Sequence, residues 1–288
     1  MNVCDAPQPQ YLPDLVMDII FSYLKLSDLY SCMLVCRNWN RAINDGRSEP
    51  WKSLCHRELL KSKLLAPLHN HKKSLQFIYN SWNPKDSSIN IFDENHLLLP
   101  FPSPKNKLRT LYNSWNPKDC STNIVVENYG FTFIRNPIIE STDMIRTKTG
   151  YKTGKHVWEI TWNEELGTVA MIGLSTKKAP LHCTGYIPLL GANKHSWGWN
   201  LVDNVLLHNA IPHGNYPLLK NDPKYTFGEK LDLVLNCENG TLHFEKCNVF
   251  LGIAFKNLPK TKLYPSVSVV YGYTEVSVLY IGNTGSTR

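Results

Sequence analysis

Cysteine and histidine are the residues through which this chain could bind a metal or attack a substrate; it has 8 of the first and 10 of the second. A zinc site needs them in closely paired sets that close a tetrahedron. The nearest approaches are Cys32-x-x-x-Cys36, inside an apolar helical stripe, and the isolated His69-x-His71; no C-x-x-C occurs. Cys32 and Cys36 therefore read as small buried hydrophobes, and neither a metal nor a cofactor is expected. Thiol-ester or hydrolase chemistry needs a low-pKa cysteine near a histidine that a carboxylate orients. His182-Cys183 is the pair that stands out, but neighbours along a strand face opposite ways, which argues against their cooperation. No catalytic residue is assigned, and a cysteine hydrolase stays as the enzymatic alternative.

Trp197, Trp199, Tyr271 and Tyr273 alternate as a base-stacking platform would. The accompanying stripe of Lys and Arg is missing: the net charge of +7 comes from scattered residues, with nothing longer than pairs such as Lys72-Lys73 and Lys177-Lys178. An aromatic core and a solvated basic surface account for both features, and no nucleic-acid partner is expected. Gly191 to Gly198 lacks the Lys and the helix that a phosphate-binding loop demands. Met1 to Gln10 is polar and proline-bearing, and no apolar run approaches the roughly 18 residues of a membrane span. The expectation is a cytoplasmic chain without membrane insertion, its cysteines reduced.

With so little placed for chemistry, the periodicity of the apolar residues is the stronger signal. At about 150 residues per domain, 288 residues allow two domains. The apolar positions Leu12, Leu15, Val16, Ile19, Ile20, Tyr23 and Leu24 follow the spacing of one helix face, and Pro13 suits its first turn. A second stripe follows the Ser27-Asp28 N-cap pair through Leu29, Cys32, Met33, Cys36 and Trp39 to Ile43, ending at Asn44-Asp45-Gly46. A third helix begins at Pro50-Trp51 and carries Leu54, Cys55 and Leu59. Three short helices are near the lower limit of an independent core, and Leu34 and Val35 add apolar surface beyond a single stripe. These faces either dock on the rest of the chain or fill a groove in another protein; periodicity leaves the two even.

Leu12-Pro13-Asp14-Leu15, Ile19 to Leu24, Ser27-Asp28-Leu29, Leu34 to Trp39 and Trp51 to Cys55, in that order, resemble an F-box. The resemblance implies that the helices bury an apolar face against the Skp-type adaptor of a ubiquitin ligase. Leu12, Pro13, Leu15, Ile19, Ile20, Leu24, Leu29 and Val35 are the adaptor-binding candidates it supplies, some of them shared with the motif's own core.

Tyr79 to Asp86 recurs unchanged as Tyr112 to Asp119. Two copies cannot bury a stacked core, so this is a local duplication, of the chain or of its assembled sequence, and not a solenoid. Between the copies, Leu97 to Pro104 carries three prolines and reads as loop or extended chain. The second copy runs directly into strand-like sequence and is the one expected to be built into a domain.

Beyond Asn123 the period becomes two: His156, Trp158, Ile160 and Trp162; Leu231, Leu233 and Leu235; Val276, Val278 and Tyr280. Asn239-Gly240 reads as a type I′ hairpin turn. Many short strands without intervening amphipathic helices make an antiparallel sandwich the economical architecture. Gly154 to Ile160, Ile172 to Ser175, Ser196 to Asn200, Asn239 to Phe244, Leu251 to Phe255 and Leu263 to Val267 resemble the SPRY signature, with Asn236 where that family commonly has Asp. The expected fold class is α+β multidomain: a three-helix F-box over 9–63, a linker with the duplicated segment over 64–119, and an all-β SPRY sandwich over 120–282.

The pairing of the two modules resembles the F-box/SPRY proteins that restrain synaptic growth. That resemblance implies a non-catalytic, substrate-recognition subunit of a ubiquitin ligase, a Highwire-type RING partner or a cullin scaffold, and a synaptic location; a non-degradative SPRY scaffold is the alternative. Similarity to SPRY/SOCS-box proteins implies a substrate pocket formed by Arg135, Pro137, Ile139, Glu140, Tyr186, Val270, Tyr271 and Gly272. Ile139 and Glu140 stand where those relatives carry a small residue and an amide, and Tyr271 where they carry Trp, so Glu140 is expected to disfavour Asp-rich ligands.

Overall fold

The computed structural model describes residues 12–64, 103–217 and 225–282. Of these, residues 12–64 and 103–108 belong to one compact unit and those from Arg109 onwards to another. The first copy of the duplicated octapeptide and the proline-rich stretch up to Pro102 lie outside the described residues.

In the first unit α1 (Asp14–Ser22), α2 (Leu26–Cys32), α3 (Arg37–Asn44) and α4 (Glu49–Leu64) follow one another. Four helices thus stand where three were expected, and the correction falls on the second stripe. Cys36 is extended (φ −156°, ψ 166°) and divides that stripe into α2 and α3. The Asn40 side-chain amide takes the Met33 carbonyl at 2.9 Å, a local hydrogen bond that competes with a continuous helix. The helix also begins before the Ser27-Asp28 pair, with Lys25 at its N-cap and no side-chain cap. Met17, Phe21, Leu29, Ile43, Trp51, Leu54 and Leu59 form the core of this unit. Phe21 meets Trp39 edge-on at 5.3 Å, and the Trp51 indole donates to the Ile43 carbonyl at 2.6 Å. Arg57 of α4 donates to the Leu24 carbonyl at 2.6 Å and to that of Ser22, satisfying acceptors that the end of α1 leaves open.

Helix α5 (Pro104–Tyr112) precedes the strands. One sheet has the order β1 (Trp115–Cys120), β4 (Ser141–Thr147), β14 (Tyr264–Val269), β6 (Ala170–Ser175), β8 (Ser196–Asn200), β9 (Val205–His208) and β10 (Ile211–Asn215), with β7 (His182–Thr184) also paired to β4. The other has the order β13 (Val249–Phe255), β12 (Thr241–Lys246), β11 (Lys230–Asn236), β5 (Lys155–Trp162), β15 (Glu275–Gly282), β3 (Thr132–Arg135) and β2 (Ile124–Glu127). All pairings of named strands are antiparallel.

The alternations read from sequence become the interior. Leu231 stands opposite Ile160 and Leu233 opposite Trp158, while Val278 and Tyr280 face the same two residues from the other side. All six belong to one core with Ile172, Leu174, Val267 and Val269 of the facing sheet. Trp197 and Trp199 join it, 7% and 1% exposed, so the tryptophans of the apparent stacking platform are core. Tyr271 and Tyr273 are not: they lie in the β14–β15 loop, 41% and 67% exposed. The β11–β12 turn also departs from expectation. It has four residues, Cys237 to Gly240, between the paired Asn236 and Thr241, and only Gly240 takes a positive φ (61°). Asn236 closes it by accepting the Asn239 amide proton on Oδ1 at 3.0 Å, a task an Asp carboxylate performs equally well.

The second octapeptide copy ends α5 and forms most of β1. Its Trp115 is fully buried, packs edge-on against Phe133 at 5.5 Å and donates its indole hydrogen to the Val276 carbonyl at 3.1 Å, tying β1 to the opposite sheet. Trp115→Ala therefore removes a large core side chain and orphans an acceptor. The expected cost is roughly 3–5 kcal/mol, measured by denaturant unfolding of the full chain, with Trp115→Phe losing visibly less.

Candidate functional site

Helix α1 is apolar on two faces, and the unit's core uses one. Met17 and Phe21 point inward; Leu12, Leu15, Ile19, Ile20 and Tyr23 face solvent, with Leu15 72% exposed. The stripe read from the sequence is thus the outer face. Leu34 and Val35, in the turn that splits α2 from α3, are 87% and 62% exposed. Of the adaptor candidates, Pro13 is exposed and Leu24 half-buried. Leu29 is the exception: fully buried within the unit, it supports the surface and offers nothing to a partner. Leu34, the most exposed of these residues, is noted in the sequence beside Val35 as apolar surface beyond the stripe but is not among the adaptor candidates.

The second site is on the sandwich. The β3–β4 loop, the loop after β5, the turn after β7 and the β14–β15 loop enclose an open cleft of about 410 Å³, lined by Arg135, Pro137, Ile138, Ile139, Gly167, Thr168, Tyr186, Val270, Tyr271 and Gly272. All the expected pocket residues except Glu140 are among them. Ile138, from the same segment as Pro137 and Ile139, joins them, and Gly167 and Thr168 come from a stretch that the resemblance does not include. Two glycines set the shape. A Cβ on Gly272 would stand 2.9 Å from Pro137 Cβ, and one on Gly167, at φ +69°, 2.9 Å from Tyr271 Cβ. Only hydrogen lets these loops approach so closely. Glu140, at φ 51°, gives its amide proton to the Tyr186 hydroxyl at 3.0 Å and takes the Gly185 amide proton on its carbonyl at 2.7 Å. Its backbone fixes the cleft wall while its side chain stays exposed.

Beneath the cleft lies a buried ion pair. Arg135, 1% exposed, donates through Nε to Asp143 Oδ2 at 2.8 Å and through a single terminal nitrogen, Nη2, to the carbonyls of Ile138 and Ser141 at 2.8 and 2.9 Å. Asp143, with no exposed surface, also accepts from Ser121 at 2.6 Å, Asn123 at 3.0 Å and Ser141 at 2.9 Å, and lies 3.1 Å from His182 Nδ1. Burial pushes its pKa up, but the bonds from Ser121, His182, Ser141 and Arg135 outweigh burial and hold it below the ordinary carboxylate value. Arg135 borders the cleft with its charge already committed.

The F-box-like family matches residues 10–60 and the SPRY domain family residues 155–282. F-box/SPRY domain-containing protein 1 of Aedes aegypti is 45% identical over 275 residues, 94% of this chain and 94% of its own length. The Drosophila mojavensis protein of the same name is 47% identical over 271 residues, 93% of this chain and 94% of its own length. The chain belongs to the F-box/SPRY domain-containing protein 1 family. Among solved structures, the SPRY domain of human HERC1 is similar at 18% identity and a TM-score of 0.47, over 60% of this chain and 100% of that one.

Within an F-box/SPRY protein the thiol candidates are poorly placed as nucleophiles. Burial, with the Asp143 carboxylate adding to it, raises the Cys183 pKa against a hydrogen bond with Thr142. Cys55, which also adjoins a histidine, His56, was passed over in the sequence. It is 4% exposed, and burial pushes its pKa up to about 11. A thiol held protonated attacks slowly.

The Arg135–Asp143 pair has a readable pH signature. Because Asp143 titrates lower in the folded chain than in the unfolded one, its stabilisation is complete above the unfolded value of about 4 and is lost as pH falls through the folded value. Asp143→Asn strands a buried guanidinium and is expected to cost about 3–5 kcal/mol at pH 7. Below about pH 4 the gap between variant and wild type should narrow, as followed by urea unfolding at pH 7 and pH 3.

Proposed function

We propose that the chain is the substrate-recognition subunit of a ubiquitin ligase. Its F-box engages a Skp-type adaptor, and its SPRY domain captures the protein to be ubiquitinated. The observation that carries this reading is the solvent-facing apolar surface of α1 and the α2–α3 turn. Burying a large aliphatic side chain is worth about 1.5–3 kcal/mol, so a set of them left in water by its own unit favours a partner with a matching groove. The cleft on the sandwich supports the second half, because aromatic and aliphatic side chains around a preformed concavity are what a protein segment anchors on.

The subunit itself transfers no ubiquitin in this reading. It works beside a RING protein, and resemblance to the synaptic F-box/SPRY proteins favours a Highwire-type RING ligase over a cullin scaffold, with control of synapse growth as the setting. Purification of the tagged chain from neural tissue with both the Skp-type adaptor and a RING protein tests this against a non-degradative scaffold, which would bring neither.

Leu15 and Ile19 are 72% and 53% exposed, so Leu15→Asp with Ile19→Asp should leave thermal unfolding nearly unchanged. Adaptor binding should weaken by orders of magnitude, and retained binding by the folded double variant would overturn the assignment of this face to the adaptor. Tyr186→Ala and Tyr271→Ala should each weaken substrate capture by roughly 1–3 kcal/mol with adaptor binding intact, as read by titration calorimetry with each partner. With activating and conjugating enzymes alone the chain should form no ubiquitin polymer; adding the RING partner should restore it.

A further inference from the structure

The cleft has an apolar lining, and the exposed charged side chains in the stretches that form it are all acidic. Ile139 (81% exposed), Tyr271 (41%) and Tyr186 (46%) present apolar surface to it. Four stretches carry the lining: 136–140, 163–168, 185–187 and 270–273. Their ionisable acids and bases, tyrosines aside, are Glu140, Glu164 and Glu165; they contain no lysine or arginine. All three glutamates are exposed, and among the described residues no hydrogen bond or ion pair engages their carboxylates. The nearest cation along the chain, Arg135, is buried and neutralised by Asp143 at 2.8 Å. In a chain whose net charge is +7, these four stretches carry three negative side chains and no positive one.

We infer that the cleft takes an extended peptide segment in which an apolar or aromatic anchor is flanked by Lys or Arg. This rests on the reading that the SPRY cleft captures substrate and names that substrate's chemistry. The anchor displaces water from between Ile139, Tyr186 and Tyr271, where desolvation supplies affinity. The flanking cations meet Glu140, Glu164 and Glu165 at the rim, where charge complementarity raises the association rate and rejects acidic competitors. An acidic segment is disfavoured because its carboxylates would be brought against three others with no cation in the four stretches to compensate.

The test is selection of a phage-displayed random dodecapeptide library on the full-length chain, followed by anisotropy titrations of the selected peptides at 50 and 300 mM NaCl. Selected sequences should carry an aromatic or aliphatic residue with neighbouring Lys or Arg. Tyr271→Ala should weaken them at least tenfold. The combined Glu140→Gln, Glu164→Gln, Glu165→Gln variant should weaken them by about tenfold at low salt and much less at high salt, since exposed charges are screened. Selection of acidic or uncharged segments that still depend on Tyr271 overturns the charge assignment and leaves the cleft as the capture site. Basic peptides that bind indifferently to Tyr271→Ala overturn both, as does a library that yields no binder.

Discussion

A carboxylate with no exposed surface must have its lone pairs satisfied from within, and around Asp143 that requirement binds four parts of the chain together. Ser121 and Asn123 come from the β1–β2 connection, Arg135 from the end of β3, Ser141 from β4 beside Asp143, and His182 from β7. Arg135 then passes the constraint outward, holding the carbonyls of Ile138 and Ser141 and so fixing both ends of the loop that carries Ile139 and Glu140. The cleft wall is rigid because the group under it cannot be left unpaired.

The helical unit works on the opposite principle. Its α1 has more apolar surface than four short helices can cover: Met17 and Phe21 suffice for the core, and the outer side chains remain in water. The fold tolerates this because the inner contacts are strong enough alone, with Trp51 fully buried and hydrogen-bonded. A surface of this kind is unfavourable by itself and becomes favourable only on association.

The two sites differ in their physics. One offers an apolar face on short helices; the other is a shaped concavity on loops pinned by a buried polar network to a sandwich, where exposed side chains can vary without disturbing the core. Trp115 shows how firmly that sandwich is closed, since a strand made from a duplicated segment is held to the facing sheet by one indole and one carbonyl.

The sequence alone determined the order of the two modules, the strand alternation and most of the cleft lining, because period-two hydrophobicity and family motifs are local features. It did not determine where the second helical stripe breaks. The Asn40 bond to Met33 competes with continuous helix without altering the apolar spacing, and Leu34 lies in the turn that results. Nor did it separate Leu29, which is core, from Leu15, which is surface: both are apolar at helical spacing, and which side of a helix faces inward depends on what packs against it. Gly167 and Thr168 reached the cleft only through the approach of one loop to another, a distance that tertiary packing alone sets. Arg135, which the resemblance put among the pocket residues, has its charge claimed by Asp143 once β3 and β4 are brought together.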